Sequence, residues 1–271
     1  MNVFAIGASK NIGYYASVRL LEKGATVTFL LRSPSVFDED TTIQKYVTTG
    51  KAHLVKGDAL VVDDVRRAWQ TAQAAGVDRG VDLVIFTVGG TPNFSLVHGA
   101  VISPPNLVTQ ATLNLLSTIP AHASTRVIAV SSNGLSRASH ATLPLALKPL
   151  YGYLLRRPHA DKLGVERVVA HCAGWQWTDE DPDKEILSEG WQDREGLLKA
   201  GELEHVVVVR PALLTDGPCR GDSVPDAPYR VSEGNLKGSY RVSRSDVAHF
   251  MVNGLLPHWD EWEGKCVGIA Y

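Results

Sequence analysis

The chain has 271 residues, 44% hydrophobic and 21% charged with 24 glycines, an ordinary globular composition that excludes collagen-like, repeat and disordered architectures. Lysine and arginine number 27 against 29 aspartate and glutamate, a net of −2, so bulk charge gives no reason to expect nucleic acid or an anionic membrane as a partner. The length fits one large domain or two small ones. Cys172, Cys219 and Cys266 are widely spaced with no Cys-x-x-Cys pair, which points to a reduced, intracellular setting. The opening run Met1 to Gly7 lacks a basic stretch followed by an apolar one, so no secretory leader is expected and a cytoplasmic protein is. The sequon Asn93-Phe94-Ser95 is then idle. Apolar runs such as Ala25 to Leu31 and Val206 to Val209 fall far short of the roughly 20 residues that a membrane-spanning helix needs.

In chain order, short β-branched runs alternate with longer amphipathic ones. Strands are expected at Asn2 to Ile6, Thr26 to Leu31, His53 to Lys56, Val81 to Thr87, Arg126 to Ser131, His205 to Arg210 and Val267 to Ala270. Helices are expected at Ile12 to Lys23, Val62 to Ala75, Asn106 to Thr118, His159 to Cys172 and Ser245 to Leu255. Leu83-Val84-Ile85-Phe86 and Val206 to Val209 are apolar throughout rather than alternating, as strands buried on both faces are. The pattern predicts a Rossmann-like α/β fold, a doubly wound parallel sheet in three α/β/α layers, as one domain over residues 1–271. Two stretches break the rhythm. Trp175 to Glu204 is polar, acidic at Asp179-Glu180-Asp181-Pro182-Asp183, and carries Trp175, Trp177 and Trp191. Asp216 to Ser239 is a Gly- and Pro-rich connection. Both are expected to cover a substrate pocket, the first as an insertion and the second as a loop.

The first strand runs into Gly7-Ala8-Ser9-Lys10-Asn11-Ile12-Gly13 and then a helix. A strand-to-helix turn of small residues lets backbone approach a pyrophosphate, and the helix start offers free N–H groups and a positive dipole end. A plain βα turn rich in small residues is the alternative for this loop. The second strand ends at Arg32-Ser33, where an NAD-specific fold places a carboxylate for the ribose 2′-hydroxyl. A guanidinium there favours a 2′-phosphate, and so NADP(H), with Lys10 adding to the same site. The fourth strand ends Thr87-Val88-Gly89-Gly90, small residues where backbone must lie against a coenzyme.

These elements, with Val127-Ile128-Ala129-Val130-Ser131-Ser132, Arg210-Pro211-Ala212-Leu213-Leu214 and Val242-Ser243-Arg244-Ser245-Asp246, resemble an atypical short-chain dehydrogenase/reductase of the NmrA-like, NAD(P)-binding kind. The glycine loop resembles the family's Gly-x-x-x-Gly-x-Gly, with Asn11 in place of the middle glycine. The resemblance implies that Asp58 of Gly57-Asp58-Ala59 bonds the adenine amino group. It also implies that Ser131, Pro211, Leu213 and Leu214 lie beside the coenzyme and that Ser132 is the catalytic serine. The family reduces carbonyls with a Tyr-x-x-x-Lys pair. Lys162, followed by Leu163-Gly164-Val165-Glu166, matches the lysine that holds the nicotinamide ribose, but Pro158 stands where the tyrosine belongs and is read as a helix-starting proline. The alternative for Lys162 is a surface residue making an i,i+4 contact with Glu166. The proton source is left among Tyr151, Tyr153, His159 and Ser132.

The expected function is hydride transfer from NADPH to a small, largely apolar carbonyl, quinone or enone, with Lys162, Ser132 and Tyr153 as the catalytic set. Two alternatives stand beside it, a non-catalytic NADP(H) sensor and an isomerase or epimerase that returns the hydride. No metal site is expected, the carboxylates of Asp38-Glu39-Asp40 and Asp63-Asp64 read as helix-start charges, and oligomeric state is open.

Overall fold

The apolar runs of the sequence sit where both faces of a sheet are covered. The computed structural model describes residues 1–77, 80–90, 93–95, 99–135, 156–224 and 226–271. β1 (Asn2–Ile6) leads to α1 (Asn11–Glu22), β2 (Thr26–Leu31), α2 (Thr41–Thr48), β3 (Ala52–Lys56), α3 (Val62–Ala75) and β4 (Leu83–Phe86). An antiparallel pair follows, β5 (Asn93–Ser95) with β6 (Gly99–Val101), and then α4 (Leu107–Leu116), β7 (Arg126–Val130), α5 (Arg156–Cys172) and β8 (Val206–Pro211). The chain ends with β9 (Leu213–Thr215), β10 (Arg230–Glu233), β11 (Arg241–Ser243), α6 (Arg244–His249), α7 (Trp259–Trp262) and β12 (Cys266–Ala270).

Eight strands form the main sheet in the order β10-β12-β8-β7-β4-β1-β2-β3. Neighbours are parallel except β10, which runs antiparallel along β12. The chain winds outward from β1 to β3 and then restarts on the other side of β1 at β4. That reversal opens a crevice at the carboxyl ends of the strands, where such sheets bind ligands. Strand alternation divides the core into two layers. Val3, Ala5, Phe29, Ile85 and Val207 face α1 and α6, while Phe4, Ile6, Val84, Phe86 and Val208 face α3, α4 and α5. The expected doubly wound, three-layer Rossmann-like arrangement is the one observed.

Local differences have local causes. The helix expected over Ser245 to Leu255 is α-helical only over Arg244–His249 and continues as a π-helix over Phe250–Leu255. There the Phe250 ring lies against Gly254, where a Cβ would meet it at 2.9 Å. Pro158 does not start α5, which begins at Arg156. As a first-turn residue its missing N–H still breaks no helical bond. Among the described residues no helix is long and apolar enough to cross a membrane.

The tryptophan-bearing segment 175–204 packs along α4 and α5. Its Leu187, Leu197, Leu198 and Leu203 are buried in the layer of those helices, and the Leu203 N–H donates to the Cys172 carbonyl at 2.9 Å. Arg167 of α5 pairs with Asp181 at 2.6 Å, its guanidinium 5.6 and 5.4 Å from the Trp177 and Trp191 rings. Segment 216–239 starts against α6, with the Gly221 N–H donating to Asp246 at 2.8 Å, contributes β10, and returns to the crevice where Ser239 meets the Asn133 amide.

Candidate functional site

The loop between β1 and α1 is built around contacts with the end of β4. Gly7 has φ +80°, and a Cβ there would lie 2.4 Å from the Val88 nitrogen; a Cβ on Gly13 would lie 2.2 Å from the Thr87 hydroxyl. The Thr87 hydroxyl donates to the Gly7 carbonyl at 3.1 Å. Asn11 has φ +58°, the left-handed conformation that asparagine tolerates better than most residues. Ile12 sends its side chain into the core, Ser9 is half-buried and Lys10 is exposed. Because α1 starts at Asn11, the N–H groups of Asn11, Ile12 and Gly13 have no helical acceptor and stand at the carboxyl end of β1 with the helix dipole behind them.

The ends of β2 and β3 form the next part. Arg32, Leu54, Val55, Lys56, Gly57, Asp58, Asp64 and Arg67 line an open cleft of about 690 Å³. Arg32 and Ser33 are exposed, and Arg32 has no ion-pair partner among the described residues. The Asp58 carboxylate accepts the Leu60 N–H at 2.9 Å, and the Asp58 N–H donates to Asp64 at 2.8 Å. That N–H, and then the Arg67 guanidinium 2.8 Å away, hold the Asp64 carboxyl below the usual range. Arg67 also donates to the Lys56 carbonyl at 2.7 Å. No motif in the sequence points to Asp64 or Arg67 as part of the site; Asp64 reads there as a helix-start charge, which its position in the first turn of α3 also makes it. The neighbouring Ala59 carbonyl accepts the Asn114 amide at 2.7 Å. After β4, Val88 is half-buried, Gly89 is open, and Gly90 packs where a Cβ would meet Ile102 at 2.2 Å.

The third part surrounds the end of β7. The Lys162 ammonium donates to the Ser131 carbonyl at 2.7 Å, and half-buried Ser132 is the next residue. Burial pushes the Lys162 pKa down to about 8, against the pull of Glu166 and Asp161. Neither carboxylate is given over to the lysine. Buried Asp161 accepts the Val108 and Thr109 N–H groups, both at 2.8 Å, and so caps α4 from another helix. Burial pushes the Asp161 carboxyl up although both N–H bonds pull it down. Glu166 makes a bidentate pair with Arg210 of β8, at 2.9 and 2.6 Å. The i,i+4 surface contact between Lys162 and Glu166 is therefore not what forms. The Ser131 hydroxyl is buried without a partner among the described residues. The Pro211 carbonyl accepts the Asn133 N–H at 2.9 Å, and Leu213 and Leu214 leave the crevice in β9, paired with β11. His159 is half-buried in the first turn of α5, and Tyr151 and Tyr153 lie outside the described residues. The glycine loop, Arg32, Asp58, Val88 and Ser132 thus follow the carboxyl ends of β1, β2, β3, β4 and β7, and Lys162 reaches the end of β7 from the second turn of α5.

The NAD(P)H-binding family model matches residues 7–179. The chain belongs to the NAD(P)H-binding family. Reductase pytE of Aspergillus terreus is 27% identical over 264 residues, which cover 93% of this chain and 90% of that protein. ChuY, an anaerobillin reductase from Escherichia coli O157:H7, superposes with TM-score 0.57 at 17% identity over 99% of this chain and 96% of its own. YwfH, an NADPH-dependent reductase involved in bacilysin biosynthesis, gives TM-score 0.57 at 11% identity, with 98% and 96% covered. The last two are likenesses of fold. For an NAD(P)H-binding protein of oxidoreductase type the three parts fit the coenzyme's three parts. Free N–H groups at α1 can take the pyrophosphate, the open cleft can take the adenosine half, and Ser131, Ser132 and Lys162 can take the nicotinamide half. Among the described residues no cluster of His, Cys, Asp and Glu is placed to hold a metal.

Proposed function

We propose that this NAD(P)H-binding protein is an NADPH-dependent reductase acting on a small, largely apolar carbonyl, quinone or enone. The observation that carries the reading is the Lys162 ammonium, held 2.7 Å from the Ser131 carbonyl beside the Ser132 hydroxyl at the end of β7. The bound coenzyme supplies a hydride. Lys162 holds the nicotinamide ribose, and Ser132 polarises the acceptor oxygen. Tyr153 and water are the proton sources, and for a quinone or enone water suffices. The relation to reductase pytE supports reduction over isomerisation. Exposed Arg32, with no counter-ion among the described residues, supports NADPH over NADH, because a doubly charged 2′-phosphate gains where a ribose hydroxyl does not. The coenzyme and a small-molecule acceptor are the partners in this reading.

The test is oxidation of NADPH and NADH by the purified protein against quinones, flavins, enones and aldehydes. Turnover with NADPH on at least one class is expected. Tight NADPH binding with no oxidation on any acceptor would instead make the protein a coenzyme sensor. Arg32→Asp is expected to weaken NADPH binding about 10- to 100-fold, the equivalent of one charge-assisted contact, and to leave NADH nearly unchanged. Equal changes for both coenzymes, measured by fluorescence titration, would remove Arg32 from the 2′-phosphate.

A further inference from the structure

Asn114 is 1% exposed inside α4, yet its side chain joins two distant parts of the chain. Its amide N–H donates to the Ala59 carbonyl at 2.7 Å, and its amide oxygen accepts from the Arg194 guanidinium and, at 3.4 Å, from Gln110. Arg194 belongs to segment 175–204 and is half-buried, with no carboxylate at ion-pair distance among the described residues. A half-buried cation spent on a neutral amide is a costly way to fill space, so what it does to the amide matters. An asparagine amide can present either its oxygen or its nitrogen to a neighbour. The Ala59 carbonyl and the long Gln110 contact already favour the orientation with the nitrogen toward Ala59, since the flipped amide would set two acceptors against each other; Arg194 adds the charge-assisted bond that anchors the amide in that place.

Ala59 directly follows Asp58 on the adenosine side of the cleft. Asp64 holds this loop from α3 through the Asp58 N–H at 2.8 Å, and Asn114 holds it from α4. The segment itself is seated firmly on α4. Gly196, at φ +77°, brings its backbone so close to the Ser117 carbonyl that a Cβ would stand 3.1 Å from it, and the Leu198 N–H donates to the Leu116 carbonyl.

We infer that Arg194, acting through Asn114, is a positioning residue that sets the Asp58–Ala59 loop for the adenosine half of the coenzyme. Segment 175–204 then tunes coenzyme affinity from behind the site. The inference rests on the proposed placing of the coenzyme's adenosine half in the cleft beside Arg32 and Asp58, and not on the choice between NADPH and NADH or between reductase and sensor.

The experiment uses the full chain with Arg194→Ala and Arg194→Lys, titrated by calorimetry with 2′,5′-ADP and with ADP. Arg194→Ala is expected to weaken whichever fragment the unmutated protein binds by about fivefold to tenfold, the loss of roughly one hydrogen bond, and Arg194→Lys to restore most of it. Hydrogen exchange of the apo protein is read in parallel. The Leu60 amide, bonded to Asp58, is expected to exchange faster in Arg194→Ala than in the unmutated chain. Unchanged fragment affinity with a lowered melting temperature would make Arg194 merely structural. Unchanged affinity with a raised KM for the acceptor would make the segment a substrate cover; either result overturns the inference. If the unmutated protein binds neither fragment, the coenzyme reading fails on its own, and unchanged Leu60 exchange would still overturn the relay.

Discussion

Glu166→Ala is expected to destabilise the fold by about 3–5 kcal/mol, because it strands a buried cation. The Glu166 side chain is 3% exposed and that of Arg210 14%, and the two meet in a bidentate pair that ties α5 to β8. Burial works against the Arg210 charge, yet the carboxylate more than offsets it and raises the guanidinium pKa above its ordinary value. Removing the carboxylate leaves that charge largely withdrawn from water and without its bidentate partner. Urea unfolding followed by circular dichroism measures the loss. A change within the roughly 0.5 kcal/mol of an ordinary surface substitution would show that water reaches Arg210. A second variant separates the worth of the pair from the penalty of breaking it. Glu166→Leu combined with Arg210→Met is expected to regain much of the lost stability, since a buried pair gains little over apolar residues of similar size.

That pair also marks the limit of what the sequence discloses. β1, β2 and α3 were legible to the residue, because apolar periodicity and the Asp63-Asp64 start of α3 are local signals. The glycine loop was legible too, and the structure gives Asn11, which stands where the resemblance places a glycine, the left-handed backbone that few other residue types accept. The partner of Glu166 was not. Spacing suggested Lys162 four residues earlier, while the actual partner lies 44 residues later in β8 and is chosen by the packing of α5 on the sheet. α2 escaped although its cap was visible, with the Asp40 carboxylate accepting the Ile43 N–H at 2.9 Å, because eight residues with one fully buried side chain, Ile43, give little period to read. β10 escaped because Arg230-Val231-Ser232-Glu233 sits among glycines and prolines and becomes a strand only by pairing with β12. Segment 175–204 was visible as an insertion, but its Leu187, Leu197-Leu198 and Leu203 are short apolar islands in polar sequence with no helical or strand period, so nothing local showed that they face α4 and α5.

Lys162→Ala is expected to lower turnover about 100-fold, the scale of a misplaced reactant, if the ammonium positions the nicotinamide ribose. The pH dependence identifies the group more sharply than the loss does. Burial depresses the ammonium from its ordinary 10.5 to about 8, so the charged form is present below pH 8 and disappears as pH rises through that value. Coenzyme affinity of the unmutated protein is therefore expected to fall above pH 8, two to three units earlier than for an exposed lysine. Stability moves the other way. The native lysine releases its proton before the unfolded one, so this residue's contribution to folding improves between about pH 8 and 10.5. Lys162→Arg keeps its charge throughout and is expected to flatten the affinity profile above pH 8 even where it costs affinity at neutral pH. The two halves of the site then become separable in one series. Glu166 supports the Lys162 charge without bonding it, so Glu166→Gln is expected to shift the affinity profile to lower pH while its carboxamide keeps one contact with Arg210. A profile unmoved by Glu166→Gln would mean that the titrating group is not Lys162, and one unmoved by Lys162→Arg would say so directly.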